Sequence, residues 1–257
     1  MRLDKLLADM NLGTRKELKQ EIRKGAVLVN GTPVKDPGLS VDGTEEILWK
    51  GKPVRFTAYE YYLLNKPAGV ISASEDPKQT TVLDLLGPDR RRDLFPVGRL
   101  DKDTVGLLLI SNDGELAHRL LSPKKHVDKT YYARVAGRVT DEDVAAFREG
   151  FDVDDSLHSL PARLEILSVT GAPADSSYVT DSAASTASAP AVVSEVKVTI
   201  REGKFHQIKR MFSARGMEVL YLKRLSMGPL TLDPDLPEGS FRPLTEGELE
   251  ALRSSGD

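Results

Sequence analysis

The 257-residue chain reads as an α+β protein, a small N-terminal module followed by a larger domain built on a mainly antiparallel, mixed sheet. Three observations lead there. Alternating apolar and polar residues, the pattern of half-buried strands, recur at 129–135, 162–169, 192–200 and 219–232. The helical patterns between them are short and few, so the β-α-β alternation that builds a parallel sheet is weak. Gly51-Lys-Pro-Val-Arg-Phe-Thr57 breaks the apolar periodicity with Gly and Pro and separates two self-contained patterns. The chain therefore divides into a module at 1–50, a linker at 51–58 that permits relative motion, and a domain at 59–257.

In the first module, Leu3, Leu6, Leu7 and Met10 recur at helical spacing. Thr14 caps a second helix that runs to Lys24 with Leu18 and Ile22 facing inward, and Gly25 ends it. Val27, Val29 and Val34 flank Asn30-Gly31, a hairpin signal. The second domain opens with an apolar strand from Tyr61 into Asn65-Lys66-Pro67, where proline forces an extended backbone. Thr80 and Thr81 introduce a short helix over 82–86.

Next comes Phe95-Pro-Val-Gly-Arg-Leu-Asp-Lys-Asp-Thr-Val-Gly-Leu-Leu-Leu-Ile110. The β-friendly run Leu107–Ile110, closed by Asn112-Asp113-Gly114, is a buried strand leaving a loop. Asp101 and Asp103 lie on that loop, and loops held by a rigid sheet are where chemistry concentrates. Spacing alone does not choose between the two carboxylates.

A helix with Leu116, Leu120 and Leu121 on one side follows, then the strand from Lys129 and an acid-led helix after Thr140. Residues 170–191, rich in Ala, Ser and Thr, hold too little apolar content for a core and read as a flexible insertion. Lys209 and Arg210 sit on a basic helical segment at 202–212, which by itself also fits a solvated helix face. Val219–Arg224 and Gly228–Leu232 alternate as a closing hairpin, and Thr245 caps a last helix.

Composition narrows the function. There are no cysteines, so neither a disulfide frame nor thiolate chemistry is available. The four histidines, His118, His126, His158 and His206, match no zinc spacing and read as surface or packing residues, so no metal is expected. No Gly-rich phosphate loop precedes a helix, and no cofactor is expected. No apolar run nears the roughly 20 residues that span a bilayer, and the charged N-terminus is no signal peptide; the expectation is a cytoplasmic monomer without membrane contact.

The net charge of −3 conceals two basic segments, seven cations against four acids over 1–30 and seven against two over 201–224. Basic faces on an acidic protein suit a polyanion that covers part of the surface.

The string Gly98-Arg-Leu-Asp-x-x-Thr-x-Gly-Leu-Leu108 resembles the signature of the pseudouridine synthases, in the branch that modifies ribosomal RNA. Leu64-Asn-Lys-Pro-x-Gly69, Lys129-x-Tyr131 and Glu202-Gly-Lys-x-His-Gln-Ile-Lys-Arg-Met-Phe212 resemble further motifs of that family. Arg2-Leu-Asp-Lys-Leu-Leu, Thr14-Arg-Lys-Glu-Leu and Ile22-Arg-Lys-Gly-x-Val-x-Val-Asn-Gly31 resemble the S4 RNA-binding domain. The combination is most similar to the small-subunit RsuA family.

The resemblance implies a pseudouridine synthase fold and an enzyme, an isomerase of uridine in ribosomal RNA. It implies Asp101 as nucleophile, Tyr131 against the target base, Lys209 as the cation paired with the carboxylate, and Arg99 filling the place of the flipped base. Asp103 falls at a variable position of the motif, and Lys66 carries structural support only. Arg2, Arg15, Lys16, Lys19, Arg23, Lys24, Lys129 and Arg210 are the expected RNA contacts. The implied partner is ribosomal RNA or a subunit-assembly intermediate, and the implied target is uridine 516 of 16S rRNA. A large-subunit (23S) enzyme and a non-catalytic RNA-binding assembly factor are the alternatives.

Overall fold

A computed structural model describes residues 1–122, 125, 127–171 and 192–255. The expected insertion falls almost wholly at 172–191, outside the described residues; Thr170 and Gly171, assigned to it from the sequence, instead end a strand.

The first module is built as its patterns require. Helix α1 (Leu3–Asp9) and helix α2 (Arg15–Arg23) bury Leu3, Leu6, Leu7, Leu18 and Ile22 in one core. At the start of α2, Glu17 N–H donates to Thr14 Oγ1 while Thr14 N–H donates to the Glu17 carboxylate, a reciprocal cap. Strands β1 (Val27–Val29) and β2 (Thr32–Val34) pair across Asn30-Gly31, both at positive φ.

The linker begins later than the sequence suggested. Lys50 and Gly51 are also both at positive φ and turn β3 (Ile47–Trp49) into β4 (Lys52–Pro53), giving a four-stranded sheet in the order β2-β1-β3-β4. Phe56 packs on the module's core. Lys-Gly makes the same tight turn as Asn-Gly, but a two-residue strand carries no alternation to reveal it.

The two parts are joined by more than chain. Arg92 N–H donates to Asp9 O at 2.8 Å, Arg92 Nε to Asn11 Oδ1 at 2.6 Å, and Asn11 Nδ2 to Pro88 O at 2.7 Å. Arg91, buried, donates to Asp93 and to Thr57 O, with its guanidinium over the Phe56 ring.

In the second domain, β5 (Tyr61–Lys66) is followed by a 3₁₀ turn at Asp84–Leu86 where a short helix was expected. Strands β6 (Phe95–Val97) and β7 (Val105–Ser111) flank the loop carrying Asp101. Helix α3 (Gly114–Leu121), capped by Asp113, leads to β8 (Lys129–Ala136). Helix α4 (Asp141–Glu149), a small hairpin of β9 (Asp152–Asp154) and β10 (Leu157–His158), and strands β11 (Arg163–Gly171) and β12 (Val192–Ile200) come next. Helix α5 (Gln207–Ala214), β13 (Glu218–Met227), β14 (Leu230–Thr231), β15 (Phe241–Pro243) and α6 (Glu246–Ser254) complete the chain.

Apart from the separate β9–β10 hairpin, these strands make, among the described residues, one nine-stranded sheet in the order β11-β12-β8-β13-β7-β5-β15, with β14 on β13 and β6 on β7. Every pairing is antiparallel except β13 with β7. The architecture is the α+β, mainly antiparallel mixed sheet expected, with helices covering its faces to form two apolar clusters.

The parallel pair is closely fitted. Gly106, at φ +99°, lies beside Arg224, and a Cβ there would come within 2.4 Å of Arg224 O and 2.9 Å of its N. Arg224 is itself buried and donates from Nε to Leu107 O at 2.7 Å. Backbone cannot yield as a side-chain tip does, so Gly106→Ala should cost about 2–4 kcal/mol. Gly114→Ala, with nothing within 4 Å of its Cβ, is the control. Urea midpoints decide it: equal midpoints for the two variants would show that the sheet opens easily there.

Candidate active site

Two segments far apart in sequence meet over the centre of the sheet. The first is the loop 98–104, which ends where β7 enters the core. Lys66 holds it from beneath. Its ammonium is fully buried and donates to Pro67 O at 3.0 Å, Lys102 O at 3.3 Å and Thr104 O at 2.9 Å. Burial pushes Lys66 down to about 8, opposed by the charges of Asp103 and Asp101. From the other side, Ser72 Oγ donates to Leu100 O at 2.8 Å and accepts from Leu100 N–H at 3.0 Å. The loop is therefore fixed at both flanks of Asp101.

The second segment is 202–209. Glu202 is buried, and its Oε1 accepts from Leu160 N–H at 3.0 Å and from Gln207 Nε2 at 2.5 Å. The Gln207 carbonyl oxygen in turn accepts from Lys204 N–H at 3.0 Å. These bonds draw 202–207 into a tight loop and leave His206 in the left-handed region, φ 50° and ψ 29°, at the start of α5. Such a backbone is strained for a residue with a Cβ and persists only where its surroundings enforce it.

Asp101 lies between the segments. Lys209 Nζ is 3.5 Å from its Oδ2 and His206 Nε2 is 3.5 Å from its Oδ1, so each carboxylate oxygen faces a nitrogen from α5 or its cap. Asp101, Tyr131, Lys209, His206 and Arg99 line one pocket. Asp101 is partly exposed there, with 26% of its side chain accessible. Tyr131 is buried on β8, two strands from β7 in the sheet. Arg99 is exposed and forms no hydrogen bond or ion pair with any described residue.

The pairing of Lys209 differs from the sequence expectation. Its ammonium donates to both oxygens of Asp103, at 2.6 and 2.7 Å, closer than to Asp101. The Lys209 hydrogen bond holds Asp103 below the usual carboxylate range. Lys209 thus serves two carboxylates, and Asp103, at a position the motif leaves variable, is the one it grips.

Two of the expected RNA contacts, Lys129 and Arg210, are engaged within the protein. Lys129 is buried, its ammonium donates to Val127 O at 3.0 Å, and burial pushes its pKa down. The strand's period of two explains this, since Lys129, Tyr131, Ala133 and Val135 share the inner face. Arg210 is committed to Asp154, with Nη2 2.5 Å from both carboxylate oxygens and 2.6 Å from Ser156 Oγ, and this pairing holds Asp154 down to about 2. It ties α5 to the β9–β10 hairpin.

The remaining expected contacts lie on the first module. Asp4, fully buried, collects Arg2 at 3.0 Å, Arg15 at 3.2 Å and Lys19 at 3.8 Å. One interior carboxylate thereby gathers three cations, one from the residue before α1 and two from α2, and the Arg2 hydrogen bond leads in holding Asp4 below its ordinary value. Lys16 and Arg23 are exposed, and Lys24 pairs with Glu21 at 2.9 Å.

His206 was missed by sequence reasoning, which asked of histidines only whether they could bind zinc. Its spacing of three from Lys209, one turn along a helix, was the available signal. Among the described residues no group of His, Asp and Glu is arranged to hold a metal ion, and no helix is long and apolar enough to cross a membrane.

Residues 60–214 match the family model for RNA pseudouridylate synthase, and residues 1–47 match the S4 domain. The chain is 46% identical over 254 residues to an RNA pseudouridine synthase of Bacillus subtilis, YtzG, with 98% of each chain covered. It is 36% identical to the ribosomal small subunit pseudouridine synthase A of Vibrio cholerae, covering 98% of this chain and 99% of that one. The corresponding Escherichia coli protein is 34% identical, at 98% and 100% coverage. A crystal structure of a pseudouridylate synthase superposes with a TM-score of 0.64 at 34% identity, covering 98% of this chain and 99% of the other. The chain belongs to the RNA pseudouridylate synthase family, with an S4 domain ahead of its catalytic domain.

Proposed function

We propose that this enzyme isomerises uridine 516 of 16S rRNA to pseudouridine, with Asp101 as nucleophile, acting as a cytoplasmic monomer on rRNA or a subunit-assembly intermediate. The observation that carries the catalytic assignment is Asp101 at the pocket, one oxygen 3.5 Å from Lys209 and the other 3.5 Å from His206. The small-subunit target is supported by full-length relatives named for that subunit.

The reaction breaks the N1–C1′ bond of uridine, turns the uracil, and joins C5 to C1′. The C5 proton is lost and N1 gains one, so nothing is oxidised or hydrolysed in net terms. A base inside folded RNA must first leave its stack, at a cost of a few kcal/mol. Tyr131 offers a ring against the extruded uracil, and Arg99, with its guanidinium unpaired among the described residues, is free to enter the space left behind. Asp101 attacks as the carboxylate, and the two nitrogen-bearing side chains beside it suit an anionic nucleophile.

Mapping pseudouridine in both rRNAs from a strain lacking the protein tests the target. Loss at 516 alone supports the proposal. Loss at a 23S position instead makes this a large-subunit enzyme, and intact modification in both makes it an assembly factor.

The first module supplies phosphate contacts that position without reading sequence. Replacing Arg15 and Lys16 by Gln should weaken rRNA binding and lower the slope of log affinity against log salt by roughly 0.7 for each phosphate no longer neutralised, about 1.4 for the pair. An unchanged slope would mean that this helix does not touch the RNA backbone.

A further inference from the structure

We propose that Phe205 is a stacking platform for a nucleobase adjoining the one isomerised. The proposal rests on the reading that this pocket acts on RNA, and it adds a contact that positions the strand.

Phe205 is the most exposed large apolar side chain among the described residues, at 71%, against 51% for Tyr59, the next. A single exposed aromatic is not by itself informative; its surroundings are. The ring stacks on His206 with centroids 3.7 Å apart and planes at 19°. His206 is fixed in turn by its left-handed backbone, and its Nε2 faces Asp101 at 3.5 Å. A flat apolar surface is therefore presented one residue from a group on the nucleophile, by a loop braced through Glu202 and Gln207.

The neighbouring charges suit a nucleic acid strand. Lys204 precedes Phe205 and lines the pocket with Arg99, and neither side chain has a hydrogen-bond or ion-pair partner among the described residues. An aromatic face beside unpaired cations is the arrangement that holds single-stranded RNA, with bases on the ring and phosphates on the cations. A base laid on the outer face would extend the stack to base, Phe205, His206, and so couple strand placement to the imidazole facing Asp101.

The test uses the full chain and a 16S rRNA fragment carrying 2-aminopurine on either side of uridine 516, with 5-tritiated uridine at the target. Tritium release by the wild type reports on the proposed reaction separately from stacking. Binding should quench the 2-aminopurine on one side with wild type and with Phe205→Tyr, and not with Phe205→Leu. Phe205→Leu should also weaken RNA binding by roughly 5- to 100-fold, and Phe205→Tyr should restore it to within threefold. Quenching that survives in Phe205→Leu overturns the proposal, whether or not tritium is released. So does a Phe205→Leu protein that loses kcat while keeping wild-type affinity, since that marks a ring that merely props His206. Because Phe205 is largely in solvent, neither substitution threatens the core.

Discussion

Asp101→Asn should leave rRNA binding within about twofold of wild type and reduce tritium release from 5-labelled uridine by at least about 10³-fold. The amide is isosteric with the carboxylate but carries no negative charge, so it can fill the same space in the 98–104 loop without attacking. The supports of that loop, the Lys66 ammonium on three carbonyls and Ser72 on Leu100, make no use of the Asp101 side chain. Folding should therefore be spared, and the variant's melting midpoint is the check. Asp103→Asn is the companion measurement. Asp103 is 72% exposed at its side chain, does not line the pocket, and is engaged by Lys209. Its replacement should leave activity within tenfold. If Asp103→Asn is the inactive protein and Asp101→Asn the active one, the nucleophile has been misassigned; if both convert uridine normally, the pocket is not the catalytic centre.

The sequence disclosed the loop before β7 because its signals are local. A turn with Pro96 and Gly98, two acids and then an apolar run leave little choice but a buried strand fed from an exposed loop. The capped helices α2, α4 and α6 were legible for the same reason, each opening on a Thr with an acid three residues on. The parallel pairing of β13 with β7 was not legible, because register between strands more than a hundred residues apart is set by packing. The fit of Gly106 against Arg224 is visible only once both strands are placed. Likewise β4 and β15, of two and three residues, are too short for any period to show.

The site residues divide along the same line. Asp101, Tyr131 and Lys209 were named from motifs, and the fold gathers all three at one pocket. What motifs could not give was the division of charge. Whether a lysine faces one carboxylate or two depends on the path of a loop, and here Asp103 lies closer to Lys209 than Asp101 does. The burial of Lys129 was not legible, because a basic residue two positions from a motif tyrosine looks exposed in one dimension. In a strand, two residues on is the same face, and that face is the core.

Lys209→Met should therefore lower kcat by about 10²- to 10³-fold, the range for losing one fixed electrostatic partner at a reacting centre, while RNA affinity falls less than fivefold. The variant removes the cation from both acids at once, and Asp103 complicates the result. Left unpaired, Asp103 is a second anion beside Asp101 and would itself discourage the approach of RNA phosphates. The double variant Lys209→Met with Asp103→Asn separates the effects. It restores the local net charge, so RNA affinity should return to the wild-type value while kcat stays at the Lys209→Met level. Recovery of kcat in the double variant would show that Lys209 acts only by neutralising Asp103, with no direct part in the chemistry of Asp101. Asp103→Asn alone frees the ammonium from its tighter partner, and closure from 3.5 Å onto Asp101 should then hold or raise kcat. These three proteins weigh one cation between two acids, and only the assignment of Lys209 to Asp101 predicts a loss that neutralising Asp103 cannot repair.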